Sequence, residues 1–234
     1  MIANFSKREK ECFDFLNQIP KQKRYVVIGG YAVTSFGFPR FSVDLDLTIP
    51  ESELPFFKKL LSENNFILKT TKEDLSYSGR FERYELGLVS IDLLINGVQS
   101  RQTDYLYPFE YIYKNSEIRE TNGWDPINKS KVRIAKKELL IALKVHSMRM
   151  VDKRDIIMLC YEKPNSQIII NYLEKSPKEI IKKHIIELQT VFSDNKFKDS
   201  LKGVYSLNDK IYKKIIENCQ LTLNEIHNKL DRLH

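Results

Sequence analysis

The chain has 234 residues, 42% of them hydrophobic and 29% charged, so a packed core is expected and intrinsic disorder is not. No apolar run reaches the roughly 18 residues of a membrane-spanning helix, and residues 1–10 lack the apolar stretch of a signal peptide. The 3 cysteines are far apart and form no CxxC motif, which argues against a disulfide framework and a cysteine zinc site. We therefore expect a cytoplasmic protein with no membrane partner.

The net charge of +7 comes mostly from the C-terminal part, where residues 136–234 hold 19 basic and 13 acidic residues. Such an excess permits a polyanionic partner such as RNA. It does not require one, because lysine-rich helices are often simply solvated surfaces.

The first half of the sequence alternates between helix-like and strand-like patterns. In chain order we predict a helix at 5–18, a strand at 24–28, a short helix at 31–37, a strand at 41–49, a helix at 53–64, strands at 81–85 and 88–95, and short strands and loops at 96–131. The strands at 81–85 and 88–95 are joined at Gly87, which indicates a hairpin.

From about Val132 the spacing of apolar residues changes from a period of 2 to a period of 3.6. This pattern predicts helices at 136–161, 168–173, 177–192 and 208–233. We therefore predict an α+β protein of the α/β type. A domain at 1–131 contains a mixed sheet flanked by helices, and an all-α domain at 132–234 follows it.

Two aspartates in the strand at 41–49 are the first candidates for a functional site. Residues i and i+2 of a strand face the same way, so Asp44 and Asp46 share one face. Val43, Leu45 and Leu47 share the other face, which is expected to pack inward. Two neighbouring carboxylates repel each other unless a cation lies between them, and Mg²⁺ is the natural oxygen-binding partner.

A third carboxylate and a pair of glycines fit the same purpose. Asp92 lies between apolar residues on a predicted strand, and three carboxylates converge if that strand lies beside the first. Three carboxylates can hold two ions about 3.5–4 Å apart, as in phosphoryl transfer. Gly29 and Gly30 follow a strand and precede a helix, so their backbone can approach a phosphate. No P-loop motif occurs.

These motifs resemble the signature of the DNA polymerase beta-type nucleotidyltransferases. That signature has a hydrophobic residue followed by Gly-Gly or Gly-Ser, then Asp-x-Asp, then an acidic residue on a later strand. The matching residues are Gly29, Gly30, the segment 40–46 (RFSVDLD) and Asp92. Ser42 stands where the group often has threonine, which keeps the hydroxyl.

The predicted helix at 136–161 is similar to a motif of the AbiEii (MenT-like) group of these enzymes, which includes toxins of toxin–antitoxin systems. Lys144, Arg149, Arg154 and Asp155 match its pattern of basic residues followed by aspartate. On one continuous helix, Lys144 and Asp155 would lie about three turns apart on the same face.

The resemblance implies a nucleotidyltransferase that uses Mg²⁺ or Mn²⁺, with two ions expected, and an NTP such as ATP. It would transfer an NMP to an acceptor hydroxyl and release pyrophosphate. The predicted metal ligands are Asp44, Asp46 and Asp92, which with Lys144 form the predicted catalytic set. The predicted nucleotide-binding residues are Gly29, Gly30, Arg40, Ser42, Lys144 and Asp155.

The acceptor remains open between several hypotheses. The resemblance suggests RNA, such as the 3′ end of tRNA, with an antitoxin protein as a further partner. A small hydroxylated molecule, as in antibiotic nucleotidyltransferases, is the second hypothesis. The third is a catalytically silent protein that binds a nucleotide or RNA. Salt-dependent retention on RNA would separate the first hypothesis from the second.

Overall fold

The computed structural model describes residues 2–42, 44–73 and 80–231. The chain divides into two compact units, one formed by Met1–Gln99 and Leu106–Lys136 and the other by Ser100–Tyr105 and Lys137–His234. Within the described ranges, no helix is both long enough and apolar enough to cross a membrane.

The first unit is built around a mixed sheet. Its helices and strands are α1 (Ile2–Asn17), β1 (Val26–Ile28), α2 (Gly29–Thr34), β2 (Asp44–Ile49), α3 (Leu54–Glu63), β3 (Ile67–Glu73), β4 (Arg80–Leu86), β5 (Val89–Ile95), β6 (Gly97–Gln99), β7 (Leu106–Pro108), α4 (Phe109–Lys114), β8 (Ser116–Asn122) and β9 (Lys129–Ala135), with a 3₁₀ turn at Glu51–Glu53. Seven strands pair in the order β3-β4-β5-β2-β1-β9-β8, and β6 pairs with β7. The β2–β5 and β1–β9 pairs are parallel and the others are antiparallel, so the predicted mixed sheet is confirmed.

The core of this unit follows from the alternating pattern of the central strands. Leu45, Leu47 and Ile49 of β2 are fully buried, as are Ile91 and Leu93 of β5. Because side chains alternate along a strand, burying these residues leaves Asp44 and Asp46 on the opposite face of β2. Val43, which was expected to pack with the leucines, lies outside the described residues.

Two elements of this unit were not predicted from the sequence. In β3, Ile67 is 62% exposed and Leu68 is 43% exposed, so residues 67–71 of this strand at the edge of the sheet show no buried alternating face. In α4, the aromatic composition favours a strand, yet Phe109 and Ile112 are buried at helical spacing directly after Pro108. Backbone pairing with β4 forms the first element, whereas in the second tertiary packing overrides the local preference.

The second unit contains only helices among its described elements. They are α5 (Lys137–Ser147), α6 (Met150–Leu159), α7 (Ser166–Leu173), α8 (Lys178–Thr190), α9 (Asn195–Tyr205) and α10 (Asp209–Asp231), with a 3₁₀ turn at Val191–Ser193. Helix α9 was not predicted, although Phe197, Leu201 and Tyr205 form a buried stripe at a spacing of four residues. Asp194 caps its first turn by accepting hydrogen bonds from two backbone amides.

The prediction of one continuous helix at 136–161 is wrong, because the chain turns between α5 and α6. Met148 adopts a left-handed conformation with φ of 47°, and Arg149 is extended with ψ of 160°. The carboxylate of Asp152 accepts a hydrogen bond from the Arg149 backbone amide at 3.1 Å and so caps the start of α6. Lys144 and Asp155 therefore lie on two different helices.

Candidate active site

Three carboxylates meet on neighbouring strands of the first unit. Strands β2 and β5 are parallel and in a register that pairs Asp46 with Asp92. Oxygen atoms of Asp44, Asp46 and Asp92 all lie within 4.8 Å of one another. Asp92 is buried, and Asp44 and Asp46 are half-buried. The predicted convergence of the three side chains is confirmed, and we call this cluster the acidic triad.

Arg83 on β4 holds one member of the acidic triad with two hydrogen bonds. Its Nε donates to Asp92 Oδ1 at 2.7 Å and its second guanidinium nitrogen donates to Asp92 Oδ2 at 2.6 Å. The same nitrogen lies 3.8 Å from Asp44 Oδ2. Burial raises the pKa of Asp92, against the opposing hydrogen bond and charge of Arg83. The hydrogen bond to Asp92 in turn raises the pKa of Arg83.

Arg83 was not identified as a site residue from the sequence, although the sequence contains a feature that places it opposite Asp92. The β4–β5 hairpin turns at Gly87 and pairs Leu86 with Val89, and this register places Arg83 opposite Asp92. A tight hairpin determines which residues stand opposite each other. The predicted hairpin at Gly87 therefore already contained the pairing of this arginine with the third carboxylate.

The two glycines lie against the side chains of the site itself. A Cβ atom on Gly29 would lie 1.9 Å from Asp46 Oδ2, and φ at this glycine is +68°. A Cβ atom on Gly30 would lie 2.2 Å from Ser42 Oγ and 3.0 Å from a guanidinium nitrogen of Arg40. Only glycine satisfies both the left-handed backbone and the close approach at position 29.

Arg40 and Ser42, both predicted to bind the nucleotide, are buried beside Gly30. Arg40 donates a hydrogen bond to the Phe41 carbonyl at 3.0 Å, and Ser42 Oγ donates to the Asp44 carbonyl at 3.3 Å. Both bonds lie within residues 40–44, and the two side chains lie against Gly30. The structure thus brings together four of the six predicted nucleotide-binding residues and all three predicted metal ligands in the first unit.

The other two predicted nucleotide-binding residues belong to the second unit, where they contact each other. Lys144 is 6% exposed, and its Nζ donates to Asp155 Oδ2 at 2.7 Å and to Asp152 Oδ1 at 3.1 Å. Asp155 also accepts a hydrogen bond from the Tyr205 hydroxyl at 2.5 Å. Asp152 also accepts a bond from Arg149 Nε at 2.8 Å. We call these residues the Lys144 cluster.

The charges of the Lys144 cluster stabilise the buried carboxylate of Asp152 in the ionised form. Burial by itself would raise the pKa of Asp152, but the charges of Lys144 and Arg149 outweigh it and hold the pKa below its usual range. Asp152 and Tyr205 were not predicted from the sequence. The position of Asp152 could have indicated a helix cap, since it lies three residues after Arg149 at the start of α6. Nothing local in the sequence indicates that Tyr205 contacts Asp155.

The donor set of the acidic triad suits a hard divalent cation. It consists of carboxylate oxygens alone, which Mg²⁺ and Mn²⁺ prefer over nitrogen or sulfur. The side chain of Asp44 is 38% exposed, so an ion has access from solvent. The residues present therefore fit the predicted metal.

Comparisons with known proteins add little beyond the geometry. No protein-family model and no curated protein sequence matches this chain. A solved structure described as "putative nucleotidyltransferase from H. pylori" is 19% identical, with a TM-score of 0.46 over 99% of this chain and 97% of that one. The STING-associated CdnE c-di-GMP synthase from Capnocytophaga granulosa is 13% identical, with a TM-score of 0.24 over 99% of this chain and 82% of that one. Similarities this low assign neither a family nor an activity to this chain.

Proposed function

We propose that this protein is a metal-dependent nucleotidyltransferase that transfers an NMP from an NTP to an acceptor hydroxyl and releases pyrophosphate. The observation that carries the proposal is the acidic triad, formed by paired strands directly beside the Gly29-Gly30 turn. Carboxylates in this arrangement repel one another unless a cation joins them, so the cluster favours binding of a metal ion. The resemblance of the sequence motifs to nucleotidyltransferases suggests that the reaction supported by this ion is nucleotidyl transfer.

In the proposed reaction, Asp44, Asp46 and Asp92 hold Mg²⁺ or Mn²⁺. When bound, such ions neutralise phosphate charge and make the acceptor hydroxyl easier to deprotonate. The backbone of Gly29 and Gly30 lies beside the triphosphate. Asp92 receives the hydroxyl proton as the acceptor oxygen attacks the α-phosphorus and the bond to pyrophosphate breaks. Positioning and charge neutralisation supply most of the acceleration.

Arg40 and Ser42 complete the nucleotide site in this proposal. Both are buried against the Gly30 turn, so their side chains hold the turn in the conformation that approaches the phosphates. Lys144 remains a proposed phosphate ligand on the basis of the AbiEii-like motif, with Asp155 as its orienting partner. The contact of 2.7 Å between their side chains supports the orienting role.

The acceptor we propose is RNA, such as the 3′ end of tRNA, as the resemblance to AbiEii-type toxins suggests. The excess of basic residues in 136–234 supports an RNA partner. Retention on immobilised tRNA that falls steeply with salt is the expected result. Absence of retention at low salt would instead favour a small hydroxylated acceptor. An antitoxin protein is a further proposed partner.

The activity is tested by incubating the protein with each labelled NTP, Mg²⁺ and total RNA, and separating the products on a gel. Label transferred to RNA is the expected result. Calorimetry of NTP binding with and without Mg²⁺ then tests the site, because Asp44→Asn should abolish the metal-supported part of binding. Asp14→Asn, on the exposed face of α1, is the matched control. Unchanged metal-supported binding in Asp44→Asn would refute the assignment.

A further inference from the structure

Arg83 places a positive charge inside the acidic triad. Its guanidinium grips both oxygens of Asp92 at 2.6 and 2.7 Å and lies 3.8 Å from Asp44 Oδ2. A planar guanidinium matches a carboxylate with two parallel hydrogen bonds, which is the strongest geometry for such a pair. Asp92 therefore has a fixed cationic partner within the fold.

The ion pair between Arg83 and Asp92 is not needed to hold strands β4 and β5 together. Strands β4 and β5 are already joined along their whole length, from Arg80 paired with Ile95 to Leu86 paired with Val89. The side chain of Arg83 is 37% exposed, whereas that of Asp92, whose two oxygens accept its hydrogen bonds, is only 5% exposed. A cation that binds Asp92 therefore has to approach a carboxylate that already has a positive charge on both of its oxygens.

A divalent ion and the guanidinium compete for the same carboxylate. Each oxygen of Asp92 has more than one lone pair, so the two hydrogen bonds leave room for a metal ligand bond. The two positive charges would nevertheless stand only a few ångströms apart in a partly buried site, where their repulsion is poorly screened. Binding of the ion therefore requires the guanidinium to move away from Asp92.

We propose that Arg83 is the internal counter-cation of the acidic triad and that it sets the affinity of the Asp92-dependent metal ion. It stabilises three neighbouring carboxylates without a metal and is displaced when that ion binds. The ion held by Asp44 and Asp46 then binds more tightly than the ion that needs Asp92. This inference rests on the proposed metal site, and Arg83 acts in it as a positioning residue.

The test is a direct measurement of Mn²⁺ binding, with no activity involved. Free Mn²⁺ is followed by its electron paramagnetic resonance signal in titrations of the wild type and of Arg83→Gln. We expect Arg83→Gln to bind the Asp92-dependent ion roughly tenfold more tightly, because the competing charge is removed. The metal-free variant should also melt at a lower temperature than the wild type, and Mn²⁺ should remove this difference.

Two further variants keep the result interpretable. Arg119→Gln is the matched control, because Arg119 on β8 has the same 37% exposure and pairs with Glu117 at 3.1 Å outside the triad. Its Mn²⁺ binding should equal that of the wild type. Arg83→Lys keeps the charge without the two-pronged grip, so its affinity should lie between those of the wild type and Arg83→Gln. It carries the test if Arg83→Gln does not fold.

Two different outcomes would distinguish a failure of this inference from a failure of the proposed function. If the wild type binds Mn²⁺ and the Arg83 variants bind it equally well or more weakly, then Arg83 only orients Asp92 and the inference is overturned. If neither the wild type nor the variants bind Mn²⁺, the metal site itself is absent and the proposed function fails with it.

Discussion

The two charged clusters of this protein are built in opposite ways. In the acidic triad, three carboxylates converge, Asp44 is 38% exposed, and Arg83 lies within ion-pair range of two of the three. In the Lys144 cluster, one ammonium lies between Asp152 and Asp155, and none of these three side chains is more than 7% exposed. The first cluster has an excess of negative charge and an exposed carboxylate, whereas in the second the buried carboxylates are paired with basic side chains.

This difference in charge balance and exposure indicates which cluster can bind a ligand and which one stabilises the fold. Carboxylates gathered at the surface of a sheet repel one another, so they gain free energy when a cation arrives. In a buried ion pair the charges already compensate each other, and removing one partner leaves the other charge buried without compensation, which is strongly destabilising. We therefore expect changes in the acidic triad to affect binding and catalysis, and changes in the Lys144 cluster to affect stability first.

Asp46→Asn should have the largest effect of the variants considered, and this effect should be on activity and not on stability. Removing one carboxylate from the acidic triad should lower nucleotidyl transfer by roughly 10³-fold, the scale seen when a preorganised charge-stabilising group is lost. Its melting temperature should not fall, because one repulsive charge is removed. Pyrophosphate release and thermal melting measure the two effects, with Asp14→Asn as the surface control. Retained transfer would mean that the triad is not the catalytic centre.

Lys144→Ala should lower the free energy of unfolding by about 3–5 kcal/mol, because it leaves two buried carboxylates without their shared ammonium. A lysine at an open cleft would contribute little to stability, but Lys144 is 6% exposed. Urea unfolding measures the loss. Lys163→Ala, which removes a 41% exposed lysine paired with Glu225, should cost less than about 1 kcal/mol.

Other outcomes for Lys144→Ala would contradict the expectation that the Lys144 cluster affects stability and the acidic triad affects activity. If its stability were unchanged while transfer fell by about 10²-fold, the lysine would act on phosphate as the AbiEii-like motif implies. If both stability and transfer were unchanged, neither a structural nor a catalytic role would remain for Lys144.

The second unit should also lose stability in mild acid because of His146. Burial, and then the charge of nearby His184, lower the pKa of His146 to about 4. Unfolded chains take up this proton near pH 6.5, whereas the folded imidazole stays neutral until about pH 4. Stability should therefore fall by up to about 3 kcal/mol as the pH drops from 6.5 to 4, at 1.36 kcal/mol per pH unit of difference.

His146→Gln tests the source of that acid sensitivity. The ring nitrogens of His146 contact the hydroxyls of Thr103 at 2.6 Å and Ser176 at 3.0 Å, which a glutamine amide can partly replace. Urea unfolding between pH 4 and 7 should show a flatter dependence in this variant. An equal slope in His146→Gln would exclude His146 as the cause.

Thr48→Val should have the smallest effect, an increase in stability of about 1 kcal/mol. Thr48 lies two residues after Asp46 on the same face of β2, is fully buried, and its hydroxyl has no hydrogen-bond partner among the described residues. Valine has the same shape without the polar atom. Thr121→Val is the control, because that hydroxyl donates to the Tyr31 carbonyl at 2.6 Å and its loss should destabilise. A loss of stability in Thr48→Val would indicate an unrecognised polar contact.

Much of the acidic triad could be predicted from the sequence because its signals are local. The alternation of aspartate and leucine at 44–47 determines which side chains share a face, and the apolar neighbours of Asp92 indicate a second buried strand. The hairpin turn at Gly87 even determines that Arg83 stands opposite Asp92. That β2 and β5 lie side by side depends on the topology of the whole sheet, which no local pattern contains.

The Lys144 cluster illustrates the opposite case. Its helix is interrupted at Met148, where a left-handed residue is held in place by the cap that Asp152 provides for α6. An uninterrupted helical pattern at 136–161 does not show this turn, because methionine has no local preference for a positive φ. A lysine on a basic, amphipathic segment also looks solvated until the surrounding helices are known.

The sequence by itself determined the class of fold, the alternation that orients Asp44 and Asp46, and the place of the glycine turn, because strand period, helix period and turn chemistry act over a few neighbouring residues. Only the tertiary structure decided that Asp46 lies beside Asp92 on a neighbouring strand, and that Asp152 and Asp155 are the partners of Lys144. Burial and electrostatic pairing depend on which distant elements pack together. Whether a charged residue is poised to bind a ligand or serves to hold the fold is decided at that level.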